Sequence, residues 1–261
     1  MNVNTYLISI VKKYSISSED SSKLITRIKP LLREIRKWGN DSLLRIIPSG
    51  SFAKGTAIRG TVDIDLLISF KNQTPYTLEV IFESLYEYFN QNYFAKKQNV
   101  SIGIVYQGMK IDLVPAKKMP NATYPHSIYV SKYGTRTKTN IHKHISLIKK
   151  SPHKNVIKLL KIWRELHRVN FPSFLLELVA LDALKGKGGI AIDKRFLMVL
   201  KYLVEKFRYN KIYDPANTNN VVSDIISNEE KDAVIHAALA SYNSRYWENI
   251  VWGLYEKKEL K

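Results

Sequence analysis

The sequence predicts an α+β protein in two parts, an α/β lobe over residues 1–136 that opens with two helices, and a helical lobe over residues 137–261. Three observations predict it. Short β-rich runs crowd residues 43–114, helical periodicity replaces them after about Thr137, and no internal repeat or low-complexity tail interrupts either pattern. A length of 261 residues suits one large domain or two intimate lobes, and a hydrophobic fraction of 45% is enough to fill a core.

Val3, Leu7, Ile10 and Val11 keep helical spacing, and a second stripe runs Leu24, Ile28, Leu31, Ile35, Trp38 behind the capping signal Ser17-Ser18-Glu19-Asp20. Pro30 inside that stripe predicts a kink or an interruption, and Gly39-Asn40 predicts its end. Strands are expected over residues 43–47, 64–70, 100–106 and 109–114, with one helix over 78–94 between them. Helices are then expected over residues 141–149, 156–166, 174–184, 196–207 and 229–242. Ser151-Pro152 reads as an N-cap and first helical position, and Gly186-Lys187-Gly188-Gly189 as a turn between helices.

Composition removes several function classes. The chain has no cysteine, so disulfides, Cys-ligated zinc and a thiol nucleophile are excluded, and a reducing cytoplasmic setting is expected. No apolar run reaches the roughly 18 residues of a membrane span, since Glu177 and Asp182 interrupt the longest candidate, and residues 1–13 have no signal-peptide pattern and read as mature sequence. There are 41 Lys plus Arg against 23 Asp plus Glu, a net charge of +18, which favours phosphate-rich partners such as nucleotides or nucleic acid.

The chemistry concentrates in Pro48-Ser49-Gly50-Ser51 and Asp63-Ile64-Asp65. On a strand, residues i and i+2 share a face, so Asp63 and Asp65 present two carboxylates side by side while Ile64 points into the core. Like charges this close conflict unless a cation lies between them, and oxygen donors suit a hard divalent ion such as Mg²⁺. Asp112, in the apolar run Ile111-Asp112-Leu113-Val114, adds a third acid and makes a two-metal site the expectation. Gly50 lets the backbone approach a phosphate, and Ser51 adds a hydroxyl. No G-x-x-x-x-G-K-[ST] loop is present, which disfavours a Walker-type ATPase.

These residues resemble the DNA-polymerase-β-like nucleotidyltransferase superfamily, whose signature is Gly-Ser after a strand, then Asp-x-Asp on the next strand and a third acid on a later one. Gly50 to Asp65, with Ile111-Asp112-Leu113-Val114-Pro115-Ala116, is similar to the branch of oligoadenylate synthases, bacterial cyclic-oligonucleotide synthases and archaeal CCA-adding enzymes. The helical segments Leu159-Leu160-Lys161-Ile162-Trp163 and Phe171 to Leu178, and Asp214-Pro215-Ala216-Asn217 through Val221, extend the resemblance. It implies an active site in the cleft between the lobes, two Mg²⁺ or Mn²⁺ ions on Asp63, Asp65 and Asp112, and NTPs, ATP among them, as substrates. It further implies nucleotide contacts from Gly50, Ser51, His142, Lys161, Ser173 and Phe174, with Lys161 on the triphosphate.

The implied reaction is template-independent: a ribose hydroxyl attacks the α-phosphate of an NTP, pyrophosphate leaves, and the product is an oligonucleotide second messenger. Two other readings stand beside it, an RNA 3′-end nucleotidyltransferase and a catalytically silent RNA-binding module. RNA as activator or acceptor is suggested by residues 141–211, which hold 16 Lys plus Arg and 5 Asp plus Glu. Ordinary solvated helix faces account for the same counts.

Overall fold

The computed structural model describes residues 2–60, 63–121 and 123–252. They form two compact units, one within residues 16–146 and one in which residues 2–15 join residues 147–252. The chain opens with α1 (Val3–Tyr14), α2 (Ser18–Gly39), β1 (Leu43–Ser49), α3 (Gly50–Lys54), β2 (Asp63–Phe70) and α4 (Leu78–Asn90). Strands β3 (Lys96–Lys97), β4 (Ile102–Tyr106), β5 (Met109–Lys118), β6 (His126–Val130) and β7 (Thr135–Thr139) complete the sheet. Helices α5 (Ile141–Lys149), α6 (Lys154–His167), α7 (Ser173–Ala183) and α8 (Ile192–Glu205) follow. A ribbon of β8 (Tyr213–Asp214) and β9 (Asn217–Val221) then leads to α9 (Asn228–Tyr242) and α10 (Trp247–Ile250).

The sheet runs β1-β2-β5-β4-β3, with β6 on the far half of β5 and β7 on β6. Only the β2–β5 pair is parallel, and its register sets Asp63 opposite Lys110 and Asp65 opposite Asp112. One face is apolar along its length: Ile64, Leu66, Ile68, Ile102, Ile104, Ile111 and Leu113 pack on Ile28, Leu31 and Ile35 of α2 and on Ile81, Phe82, Leu85 and Phe89 of α4. The other face is divided. Leu67, Ala116, Ile128 and Ile141 form a small cluster on it, and Asp63 and Asp65 occupy the same face of β2 at its N-terminal end.

Helix α2 begins as its sequence directs, with a reciprocal capping box in which Ser17 accepts from the Asp20 N–H and Asp20 accepts from the Ser17 N–H. Of the kink or interruption expected at Pro30, the interruption is absent: one helix of 22 residues runs through it. Pro30 removes a single hydrogen bond, to the Thr26 carbonyl, and both residues are exposed, where solvent can replace a lost bond at small cost. Helix α4 ends at Asn90 rather than at residue 94, because Phe94 is almost fully exposed and has nothing to pack against.

In the helical unit α7 is mostly apolar and carries the buried residues Leu175, Leu176, Val179 and Ala180, as a central helix does. Around the same core lie Leu159, Leu160 and Trp163 of α6, Phe196 and Leu200 of α8 and Val234 of α9. Trp163 donates from Nε1 to Ser241 Oγ at 2.9 Å. Helix α1 belongs here: Leu7, Ile10 and Val11 are buried, Tyr6 donates to the Val251 carbonyl at 2.9 Å, and Asn4 accepts from the Asp193 N–H at 3.2 Å. Residues 1–15 thus group away from the α/β part, and residues 137–146 with it, which differs from a division at 136/137.

Ser151-Pro152 does not start a helix. Helix α6 begins at Lys154, and Ser151 instead accepts from the His153 N–H at 3.1 Å in the turn before it. Strands β3 and β6 to β9 also lie outside the expected set. β7 is the edge strand Thr-Arg-Thr-Lys-Thr, with no apolar face to give a periodic signal. In the ribbon β8–β9, Asp214 Oδ1 accepts from the Ala216 N–H at 2.7 Å and shapes the turn at Pro215. Among the described residues no helix is long and apolar enough to cross a membrane.

Because Pro30 sits exposed inside α2, Pro30→Ala should restore a helical hydrogen bond and raise stability by about 1–3 kcal/mol. Urea unfolding followed by far-UV circular dichroism measures the change.

Candidate active site

Strand β1 delivers the chain at Ser49 opposite Asp65, and the backbone turns directly into α3. Gly50 makes that turn with φ +60°, and a Cβ on it would stand 1.6 Å from Asp65 Oδ2 and 2.3 Å from Asp65 Cγ. Only a residue without a side chain fits, both for the left-handed backbone and for the space. Ser51 follows in the first turn of α3, which closes at Gly55.

Asp63 is exposed and Asp65 half-buried, while Ile64 between them is buried at 2% exposure, so the strand alternates as its sequence implies. Paired residues on neighbouring strands project to the same face about 4.8 Å apart. Asp63, Asp65 and Asp112 therefore share one face at one end of the sheet. Burial, and secondarily the negative charge of Asp63, push the Asp112 carboxyl up from its ordinary value; a hydrogen bond from Gln98 and the charge of Lys110 oppose this. Gln98 Nε2 donates to Asp112 Oδ1 at 2.8 Å.

The donor chemistry fits a hard divalent cation: oxygen donors, carboxylates on one face, and an electrostatic conflict that a cation would relieve. Among the described residues no three His, Asp or Glu side chains are drawn together as a finished coordination cluster. The three acids are neighbours on a face, and Asp112 is turned toward Gln98.

The other candidates have surroundings of their own, His142 in the α/β unit and Lys161, Ser173 and Phe174 in the helical unit. His142 is the second residue of α5; its ring is 4.2 Å from that of Tyr124, and its Nε2 is buried without a hydrogen-bond partner among the described residues. It belongs with Arg45 and His126. His126 is fully buried, with Nε2 at 2.8 Å from Ser69 Oγ and Nδ1 at 2.7 Å from the Tyr124 carbonyl. That carbonyl only accepts, so Nδ1 carries the proton and Ser69 donates to Nε2. Ser69 lies four residues along β2 from Asp65, about 13 Å, so the structure does not gather His142 with the acids.

Lys161 is not a solvated helix residue. Its side chain is 2% exposed, and its Nζ lies 2.8 Å from Glu177 Oε1, itself 1% exposed, which departs from an ammonium presented to a triphosphate. Ser173 opens α7 and accepts from Arg164 Nη1 at 3.0 Å; the same nitrogen donates to the Phe171 carbonyl at 2.9 Å. Phe174, the other implied nucleotide contact of α7, is half-buried. Sequence reasoning missed Gln98, Gly103, Arg164 and Glu177 as residues of interest. Glu177 had a signal, a charge flanked on both sides by apolar residues, whereas Gln98 had none.

Residues 1–150 match the family model of the Second Messenger Oligonucleotide or Dinucleotide Synthetase (SMODS) domain, more than half of the chain. The chain belongs to this family. As a SMODS protein it is a polymerase-β-like nucleotidyltransferase, of the class whose relatives make oligonucleotide second messengers from NTPs. It is 27% identical over 251 residues to the CBASS oligonucleotide cyclase CdnC of Escherichia coli strain KTE188, covering 81% of this chain and 79% of that one. It is 26% identical over 239 residues to the cyclic AMP-AMP-AMP synthase of E. coli strain MS 115-1, covering 76% and 74%. The structure of E. coli MS115-1 CdnC with ATP shares the SMODS protein's fold, with TM-score 0.75 over 95% of this chain and 96% of that one at 21% identity.

Gly50→Ala should force Asp65 aside and cost about 1–2 kcal/mol from the left-handed φ alone; urea unfolding and an NTP-turnover assay on the same preparation measure both effects. A second expectation concerns pH. His126, His142 and His153 are all held below the usual imidazole range, by burial first and then by Arg45 for His126 and His142 and by Arg195 for His153. The unfolded chain takes up protons as pH falls through about 6.5, and the folded chain resists them, so stability declines below that point. The melting temperature should fall between about pH 7.5 and pH 5, and His126→Gln should flatten the fall.

Proposed function

We propose that this chain transfers NMP from an NTP, ATP by analogy with the relatives, to the ribose hydroxyl of another nucleotide and so builds a small oligonucleotide messenger. The observation that carries the proposal is the register of β2 and β5, which sets Asp65 opposite Asp112 and Asp63 two residues away on the same face. Asp63 and Asp65 would hold the cation that accompanies the triphosphate. Gly50 and Ser51, against Asp65, bring a backbone N–H and a hydroxyl to the phosphate oxygens. Asp112 serves the attacking hydroxyl. When bound, two divalent cations, Mg²⁺ or Mn²⁺, neutralise the phosphates and acidify that hydroxyl.

In the transfer, the hydroxyl oxygen forms a bond to the α-phosphorus as the bond to the bridging oxygen breaks and pyrophosphate departs. The hydroxyl proton leaves toward the carboxylate of Asp112, which stands on the same face as Asp63 and Asp65. Positioning and charge stabilisation account for the rate, with no covalent protein intermediate.

Labelled NTP with Mg²⁺ or Mn²⁺, with and without RNA, tests the reading. A small oligonucleotide product supports it; labelled RNA would point to a 3′-end transferase, and neither product to a silent RNA-binding module. Asp63→Ala and Asp65→Ala should each lower turnover by about 10²-fold or more at an unchanged or raised melting temperature, because each removes a ligand and relieves repulsion. Asp112→Asn should lower the rate far more than NTP affinity, measured by nucleotide titration of the same sample.

A further inference from the structure

Asp112 receives its hydrogen bond from an amide that the chain holds on every side. Gln98 follows β3, and its backbone N–H donates to the Ser101 carbonyl at 2.8 Å while its carbonyl accepts from Ser131 Oγ at 2.8 Å. Its side-chain Oε1 accepts from Ser101 Oγ at 3.1 Å, and its Nε2 donates to Asp112 Oδ1 at 2.8 Å. Chemistry sets the direction of the amide: an ionised carboxylate only accepts, so the NH₂ group faces Asp112 and the carbonyl is left for the Ser101 hydroxyl.

Gly103 makes room for this arrangement. It is the register partner of Asp112 across β4 and β5. A Cβ there would stand 2.5 Å from Gln98 Nε2 and 3.2 Å from Asp112 Oδ1. Gly103 is not among the glycines with positive φ, so its backbone would accept a side chain and the Gln98 amide is what excludes one.

We propose that Gln98 is a positioning residue for the reaction: by occupying Oδ1 of Asp112 it stops the carboxylate from rotating and leaves Oδ2 as the oxygen offered to the attacking hydroxyl and its cation. This rests on the role of Asp112 given above. A carboxamide suits the task because it donates without charge. A Lys or Arg at the same place would compete with the cation for the carboxylate, and a Glu would add a further repulsion to a face that already carries three acids.

The test uses the full chain and four variants, Gln98→Met, Gly103→Ala, Asp112→Asn and the double variant Gln98→Met with Asp112→Asn. Gln98→Met keeps the length of the side chain and removes the donor. It should lower kcat about 10–100-fold, keep KM for NTP within about two-fold, and weaken binding of Mn²⁺ alone, read from the free-ion signal by electron paramagnetic resonance. Gly103→Ala leaves both Gln98 and Asp112 in the chain and crowds their contact, its Cβ meeting Gln98 Nε2 first and Asp112 Oδ1 next, so it should reproduce the kcat loss. On Mn²⁺ affinity, Gln98→Met should have no further effect once Asp112 is Asn, because the two act as a unit.

Wild-type kcat and Mn²⁺ affinity in a folded Gln98→Met, or losses that add independently in the double variant, would overturn the proposal. Melting temperatures identify a variant that has lost its fold. Gln98→Met, which removes only the donor, decides, and Gly103→Ala supports it by disturbing the same contact from the other strand. Inactive Asp112→Asn beside a fully active Gln98→Met would leave the role of Asp112 standing and remove that of Gln98; an active Asp112→Asn would remove both.

Discussion

The parallel pairing of β2 with β5 is the constraint on which the candidate site depends. Side chains alternate with a period of two, so a slip of one residue in this register would send Asp112 to the face covered by α2 and α4 and bring Ile111 and Leu113 out of the core. Ile64, Leu66, Ile111 and Leu113, each buried, make that slip costly. The apolar face of the sheet thus determines where the acids of the opposite face stand.

The acidic face itself opposes stability. Asp63 raises the proton affinity of Asp112, and Gly50 holds a backbone conformation that other residues avoid in order to lie against Asp65. Local strain and like charge at one end of a strand are maintained by the packing of its remaining length. The neutral donor Gln98 and the cation Lys110 temper the repulsion without abolishing the negative field a divalent cation would seek.

In the helical unit much of the basic surplus is used internally. Lys161 pairs with Glu177 in the interior, Arg164 joins Glu165 to the start of α7, Lys158 reaches Ser15, and Arg195 contacts the Pro152 carbonyl and His153. Arg208 pairs with Asp232 and Lys201 with Glu205. The count of cations over residues 141–211 therefore exceeds the charge that this surface offers to a polyanion. Burying the Lys161–Glu177 pair is tolerable because each supplies the other's counter-charge, and removing one partner would leave a charge stranded in the core.

What the sequence determined by itself is local. Helical stripes such as Ile28, Leu31, Ile35, the Ser17–Asp20 capping box, the alternation through Asp63-Ile64-Asp65 and the Gly50-Ser51 turn are all carried by residues within a few positions of one another, and the family signature lies in those same segments. Only the tertiary structure decided that α1 joins the helices of the second half, that Lys161 is buried on Glu177, that His142 sits with Tyr124 and Arg45, and that Gln98 meets Asp112. The edge strand β7, polar on both faces, was likewise invisible until β6 paired with it. The physical reason is common to these cases. Periodicity records which face of an element is buried, but the partner that buries it is chosen by register and packing between segments far apart in the chain, and nothing in the spacing of neighbouring residues encodes that choice.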